Sequence, residues 1–350
     1  MRSKGQPSFI LHLSVSYRVE SRLEGMDIYT RAYLGAKAAD ALAMPVHWYY
    51  DTAALDRDYS GLREYRAPAG RHPDSILWRS SYAPADAEGD ILHDQAVYWG
   101  RKGIHYHQFL EAGENTLNFR LADELYRTVI GNGGYDADAW LDRYVECMRT
   151  PGWHRDTYIE EVHRGFFEKR ARGIPLRKCG IGDLHIGGLA QVPALVAALK
   201  ATDTFSMDVV LTHVSLTHHH PYTLAAAGAL VRMLCCMAEG GSLQDALSSC
   251  GAAWAGMKSL DKWAAMPDRT LVGRKLSTAC YLPESFTASL ALVWKHRDDF
   301  TAGILANALC GGDSCHRGAV VGALLGAAHP IPQKWIDGLI DSKGVTTKRN

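Results

Sequence analysis

Apolar residues fall at helical spacing along most of this chain. Leu117, Leu121, Leu125 and Val129 stand four apart and mark one face of a helix over 116–130, ended by the glycines of 131–134. Tyr29 to Met44 is an Ala/Leu-rich run that Pro45 stops. Further helical stretches are predicted over 137–148, 156–170, 193–200, 221–238, 243–257, 284–297, 300–310, 317–328 and 333–342. The turn-rich stretch 48–104 and the Gly-rich stretch 173–190 read as loops, and strand signals are weak throughout. No linker divides the pattern and no repeat recurs in it. The expectation is an all-α chain with one compact helical domain over 26–342, a disordered leader over 1–25 and a tail over 343–350. Small residues four apart, as in Gly318-Ala319-Val320-Val321-Gly322, allow close helix packing.

Composition narrows the class. Lys plus Arg and Asp plus Glu are both 38, and a balanced charge argues against a protein that coats nucleic acid. With 47% apolar and 22% charged residues the chain has a globular composition. The longest apolar run, Leu224 to Met237, is cut by Arg232, so no membrane partner is expected. Eight scattered cysteines without a CxxC pair suggest reduced thiols and a cytoplasmic location. Arg2, Lys4, Arg18 and Arg22 in the leader leave organellar targeting open.

Signatures of the commonest chemistries are absent: there is no GxGxxG, GxxxxGK[ST], HExxH or GxSxG. Candidate chemistry lies instead at Gly-rich breaks between helices. Gly311-Gly312-Asp313-Ser314-Cys315-His316-Arg317-Gly318 joins two apolar helices. An N-cap explains Asp313 or Ser314, but a thiol, an imidazole and a guanidinium in succession also suit an anion or metal site. His105-Tyr106-His107 and Gly113-Glu114-Asn115-Thr116 precede the helix at 116. Thr217-His218-His219-His220-Pro221 offers one histidine to a site, with His219 and His220 more simply structural. Asp40 is a charge inside an Ala/Leu helix and needs a partner there; Asp183 and His185 sit in a glycine frame from Gly180 to Gly188.

In this order the pieces resemble the ADP-ribosylglycohydrolase family over about 27–342. The family's opening GxxxGDALGxPVE corresponds to Gly35–His47, with Asp40 and Met44-Pro45-Val46 matching. Its TDDT corresponds to Gly113-Glu114-Asn115-Thr116, its THxxP to Thr217, His218 and Pro221, and its GGDTDT to Gly311–His316. The resemblance implies a compact all-helical fold in which two Mg²⁺ ions, held by the two acidic motifs, position ADP-ribose while water cleaves the bond at its anomeric carbon.

The sequence departs from those motifs at their ligand positions. Gly113, Glu114 and Asn115 replace Thr-Asp-Asp, Cys315 and His316 replace Asp-Thr, and His47 replaces the acid after Pro-Val. A two-metal site is therefore not expected; one weakly held Mg²⁺ on Glu114, Asn115 and Asp313 is, with a softer ion such as Zn²⁺ on Cys315, His316 and His47, or no metal, as the alternatives. Glu114, Asp313, His47 and His316 are the expected acid/base groups of a divergent hydrolase acting on an ADP-ribosylated or related small-molecule substrate. Asp40, Asn115, Asp183, His185, His218, Arg317 and the backbone of Gly311 and Gly312 are expected to bind that substrate. Two alternatives stand beside this reading: an inactive member that only binds, and thiol chemistry by Cys315 with His316.

Overall fold

A computed structural model describes residues 25–340, so the expected leader and tail lie outside the described residues apart from Gly25. In chain order the helices are α1 (Ile28–Ala43), α2 (Thr52–Asp58), α3 (Leu117–Asn132), α4 (Ala137–Arg149), α5 (Glu161–Ala171), α6 (Val192–Ala201), α7 (Met207–Ser215), α8 (Pro221–Ala238), α9 (Leu243–Cys250), α10 (Met257–Ala264), α11 (Asp268–Leu271), α12 (Glu284–Lys295), α13 (Phe300–Leu309), α14 (Ser314–Ala328) and α15 (Gln333–Asp337). Among the described residues there is no sheet, only isolated bridges such as Ile181 with His218 and His185 with Tyr281. The fold is all-α, as the apolar spacing predicts.

Helix ends follow local chemistry. Asp27 caps α1 by accepting from the amides of Tyr29 and Thr30, and the helix gives way to a tight turn at Met44-Pro45-Val46. Gly133, at φ 67°, closes α3 in the left-handed conformation that glycine adopts without strain. Three expectations change. The run 243–257 breaks at Gly251 and resumes as α10. The helix α7 lies where no helix was expected. Finally, α5 starts at Glu161 and not at 156, because Glu160 is extended (ψ 158°).

The core is organised around α14, which is buried along nearly its whole length and packs most heavily on α1, with α12, α13 and α8 around it. A Cβ built on Gly35 would lie 2.2 Å from the Gly322 carbonyl oxygen, and one on Gly322 would lie 2.2 Å from the Gly35 carbonyl oxygen. Backbone touches backbone here, so the crossing tolerates no side chain. Helix α8 is long and apolar enough to cross a membrane by length and composition, but just over half of it is buried inside the molecule.

Gly322→Ala is expected to destabilise the fold by about 1–3 kcal/mol or more, because two fixed backbones must part. Gly131→Ala, on the open face of α3 with nothing within 4 Å of the new carbon, should stabilise by roughly 0.4–1 kcal/mol. Urea titration of the two variants checks both signs.

Candidate active site

Consecutive left-handed glycines aim the central carboxylate. Gly311 (φ 67°) and Gly312 (φ 63°) turn the chain between α13 and α14, and a Cβ on either would lie 2.2 Å from a carbonyl oxygen, Tyr49's and Thr278's respectively. The Gly312 amide donates to the Tyr49 carbonyl at 2.6 Å, and its own carbonyl accepts from the Trp48 amide at 2.7 Å. Asp313 then starts α14, yet its carboxylate caps nothing there. The helix-cap reading of this residue therefore fails, and its side chain points to other partners.

Those partners are imidazoles. Asp313 Oδ1 lies 2.8 Å from His47 Nε2 and 2.8 Å from His316 Nδ1. His47 Nδ1 meets His107 Nε2 at 2.9 Å, and His107 Nδ1 meets Asp156 Oδ1 at 2.5 Å. On the far side His316 Nε2 is 2.7 Å from the Asn118 side-chain amide and 3.3 Å from Glu160 Oε1. The Asn118 carbonyl oxygen accepts from His163, whose other nitrogen meets Tyr144 Oη at 2.7 Å. A continuous buried row thus runs from Asp156 to Tyr144. Trp48 stacks on His47 with ring centroids 3.7 Å apart, and it does so from a left-handed backbone (φ 62°) that a bulky residue rarely adopts. Tyr158 meets Trp48 edge-on. Trp48, Tyr158, Asn118, Glu160 and the rings of His47, His107 and His316 line a cavity of about 10 Å³, close to the room one water needs.

Electrostatics separates the groups. Burial opposes ionisation of Asp313, but the His316 charge and the bonds from His316 and His47 outweigh it and hold the carboxyl well below the usual range. Burial likewise disfavours charge on His316, yet Asp313 and Glu160 push it up to about 10. His47 is driven well below the usual imidazole value by burial, against the pull of Asp313. Burial raises the Glu160 carboxyl, which the His316 charge opposes and Asp313 reinforces; its side chain keeps 15% exposure.

The sequence candidates distribute unevenly around this row. Glycine 187 brings the 183–188 loop against Glu160, Asn118 and His316, within 3.3–3.5 Å of where its Cβ would stand. Asp183 and His185 pair at 2.9 Å, and their charges act on Glu160. His218 feels Asp183, His185 and His316, and its Nε2 is buried without a hydrogen-bond partner. Asp40 is committed to the start of α3: it accepts from Asn115 Nδ2 (2.8 Å), the Thr116 amide (2.9 Å) and Thr116 Oγ1 (2.7 Å). Glu114 accepts from the Glu111 amide at 2.6 Å and pairs with Arg155; with Asn115, Arg120 and Asp123 it lines a second small cavity. Glu114, Asn115 and Asp313 are thus not gathered in one ligand set.

Two expectations are corrected outright. Arg317 does not reach toward a substrate. It is buried and donates to the Asn307 side chain and to the carbonyls of Asn307 and Gly311, clamping the glycine corner. Cys315 is buried with its sulfur toward the Asp40 carbonyl, and burial pushes its thiol well above the usual value, so it is no thiolate nucleophile. Asn118, Asp156, Tyr158 and Glu160 were not anticipated from sequence. The one available signal was polar residues at the edge of an apolar pattern.

A family model described as ADP-ribosylglycohydrolase matches residues 21–348. The chain belongs to the ADP-ribosylglycohydrolase family. A solved structure titled "ADP-ribosylglycohydrolase-related protein complex" matches with a TM-score of 0.54 at 20% identity, over 91% of this chain and 94% of that one, which is a likeness of fold. No curated protein matches in sequence. The Mg²⁺ pair that the family resemblance implies does not fit the residues of this cleft. Hard Mg²⁺ prefers oxygen donors, and here one carboxylate faces two imidazoles while Glu114 is held by Arg155.

Seven buried histidines are shifted downward, His47, His72, His105, His154, His163, His213 and His218, in each case chiefly by burial. Two, His185 and His316, are shifted upward by their carboxylate partners. A group whose folded value is lowered binds its proton more readily when unfolded, so stability is lost as pH falls below about 6.5. The two raised groups act oppositely and lose their contribution only above that pH. Net stability is expected to fall from pH 6.5 toward 4, read as a declining urea midpoint; a flat profile there would contradict the buried neutral state of these rings. In native protein Cys315 should also resist alkylation that reaches the half-buried Cys280.

Proposed function

We propose that this protein hydrolyses a glycosidic bond of an ADP-ribose-like compound, either a small molecule or an ADP-ribosylated side chain. One observation carries the reading. Two carboxyl groups at His316 are pushed apart in acidity, Glu160 upward and Asp313 downward, beside a cavity of one water's size. Glycoside hydrolysis needs that division of labour: one acid to protonate the leaving group and one anion beside the attacking water.

Glu160, partly exposed and with its carboxyl raised by burial, is the group placed to donate a proton to the leaving oxygen or nitrogen. Asp313 stays ionised behind His47 and His316, the imidazoles that line the cavity, and supplies the negative charge that offsets the positive charge developing at the anomeric carbon. The water's proton passes to the Asp313–His47 pair. Asp156 and His107 fix the His47 ring, as second partners of a working imidazole do. Trp48 and Tyr158 give an incoming ring an apolar face. The family assignment supports the substrate class.

ADP-ribosyl-arginine, ADP-ribosyl-serine and free nucleotide sugars should be screened as substrates. On the substrate that is turned over, Glu160→Gln is expected to lower kcat by roughly 10²–10⁴-fold with circular dichroism and Tm unchanged. No turnover on any of them, with measurable ADP-ribose binding, would replace the hydrolase by a binding protein.

A further inference from the structure

We propose that His47, Asp313 and His316 form the binding site of a single borderline transition-metal ion of the Zn²⁺, Co²⁺ or Fe²⁺ kind, in place of a hard Mg²⁺ pair. The site lies in the cleft of the proposed hydrolase but does not rest on that activity. His47, Asp313 and His316 each present one donor atom, all within 4.8 Å of one another, and all three are buried. Two imidazoles and one carboxylate on one side of an ion, with the remaining positions open to water, is the donor set that borderline metals take in catalytic sites. Spacings of 2.8 Å between Asp313 Oδ1 and each ring nitrogen fit adjacent donors at right angles on one ion with bonds of about 2.0 Å, and a tetrahedral ion would spread them by about half an ångström.

An orphaned atom points to a missing ligand. Asp313 Oδ2 is buried without a hydrogen-bond partner, and His316 Nδ1 meets Asp313 Oδ1 at 2.8 Å but outside hydrogen-bond geometry.

The outer contacts are those of a metal site. A ligating imidazole is held by a second partner on its other nitrogen, often backed by a carboxylate. His47 has His107 backed by Asp156, and His316 has Asn118 and Glu160. His47 and His316 both line a small cavity of about 10 Å³.

The test uses the full chain, stripped with chelator and titrated with Co²⁺, whose visible absorption reports ligand number and type. One Co²⁺ per chain is expected, displaced by Zn²⁺ and not by excess Mg²⁺. His316→Gln and Asp313→Asn should each lower the affinity at least 10-fold. His107→Gln keeps all three donors and removes only the orientation of His47, so it should lower affinity by roughly 10–100-fold. Circular dichroism and Tm establish that each variant is folded. Absence of Co²⁺ and Zn²⁺ binding by folded wild-type protein, affinity indifferent to the Asp313 and His316 substitutions, or two Mg²⁺ bound instead would each overturn the proposal. The readout is independent of turnover. Metal binding without hydrolysis of any ADP-ribose compound overturns the hydrolase alone, and hydrolysis by a protein that binds neither Co²⁺ nor Zn²⁺ overturns the metal site alone.

Discussion

The crossing of α1 and α14 constrains everything else in this molecule. Gly35 and Gly322 bring two backbones into direct contact, and Gly326, whose Cβ would lie 2.6 Å from the Arg31 carbonyl, extends the seam. Each helix carries part of the site at the same end. Asp40 sits on α1, His47 follows its last turn, and α14 opens with Asp313 and His316. The seam therefore sets the distance between His47 and Asp313. A single methyl group inserted at the crossing acts on the site through rigid helices, without touching a site residue.

Within that frame the site is a charge problem solved by partners. A lone carboxylate as buried as Asp313 would take up a proton. It stays ionised because two imidazoles reach it, and each of those is held from behind. The corner that aims it is fixed equally firmly. Arg317, with no exposure to speak of, bonds two carbonyls and the Asn307 side chain, so the glycines at 311 and 312 cannot relax. Placing an arginine there stabilises the geometry of its neighbour and leaves the pocket's own charge balance to the histidines.

Much of this was legible in the sequence. The helices α1, α8 and α14 are apolar runs bounded by Asp, Pro or Gly, and the two Gly-flanked motifs marked Asp313, His316 and His47 as a group. What escaped was decided by long-range bonds. Tyr158, Val162 and Phe166 stand four apart and continue the α5 pattern backwards. In the fold Asp156 is drawn to His107 and Glu160 to Asn118 (2.5 Å), and these bonds hold the segment extended. Glu114 went wrong in the same neighbourhood. Its place suited a metal ligand, but Arg155, just before the stretch misread as helix, takes its carboxylate. Local pattern cannot rank a helical turn against a partner about fifty residues away.

The departures from the family's acidic motifs also make sense as one coupled change. Asp40 accepts three hydrogen bonds at the start of α3, one of them from the Asn115 amide, and burial pushes its carboxyl above the usual range against them. An aspartate at 115 would set a second carboxylate against this one, tolerable only with a cation between them. Cys315 lies on the other side of the same helix turn, its sulfur against the Asp40 carbonyl, where an acid would add a third negative charge. Asparagine and cysteine at these places remove the need for a hard ion beside Asp40. The histidines at 47 and 316 gather what anionic character remains around Asp313. What stands at those motif positions is one carboxylate between two imidazoles.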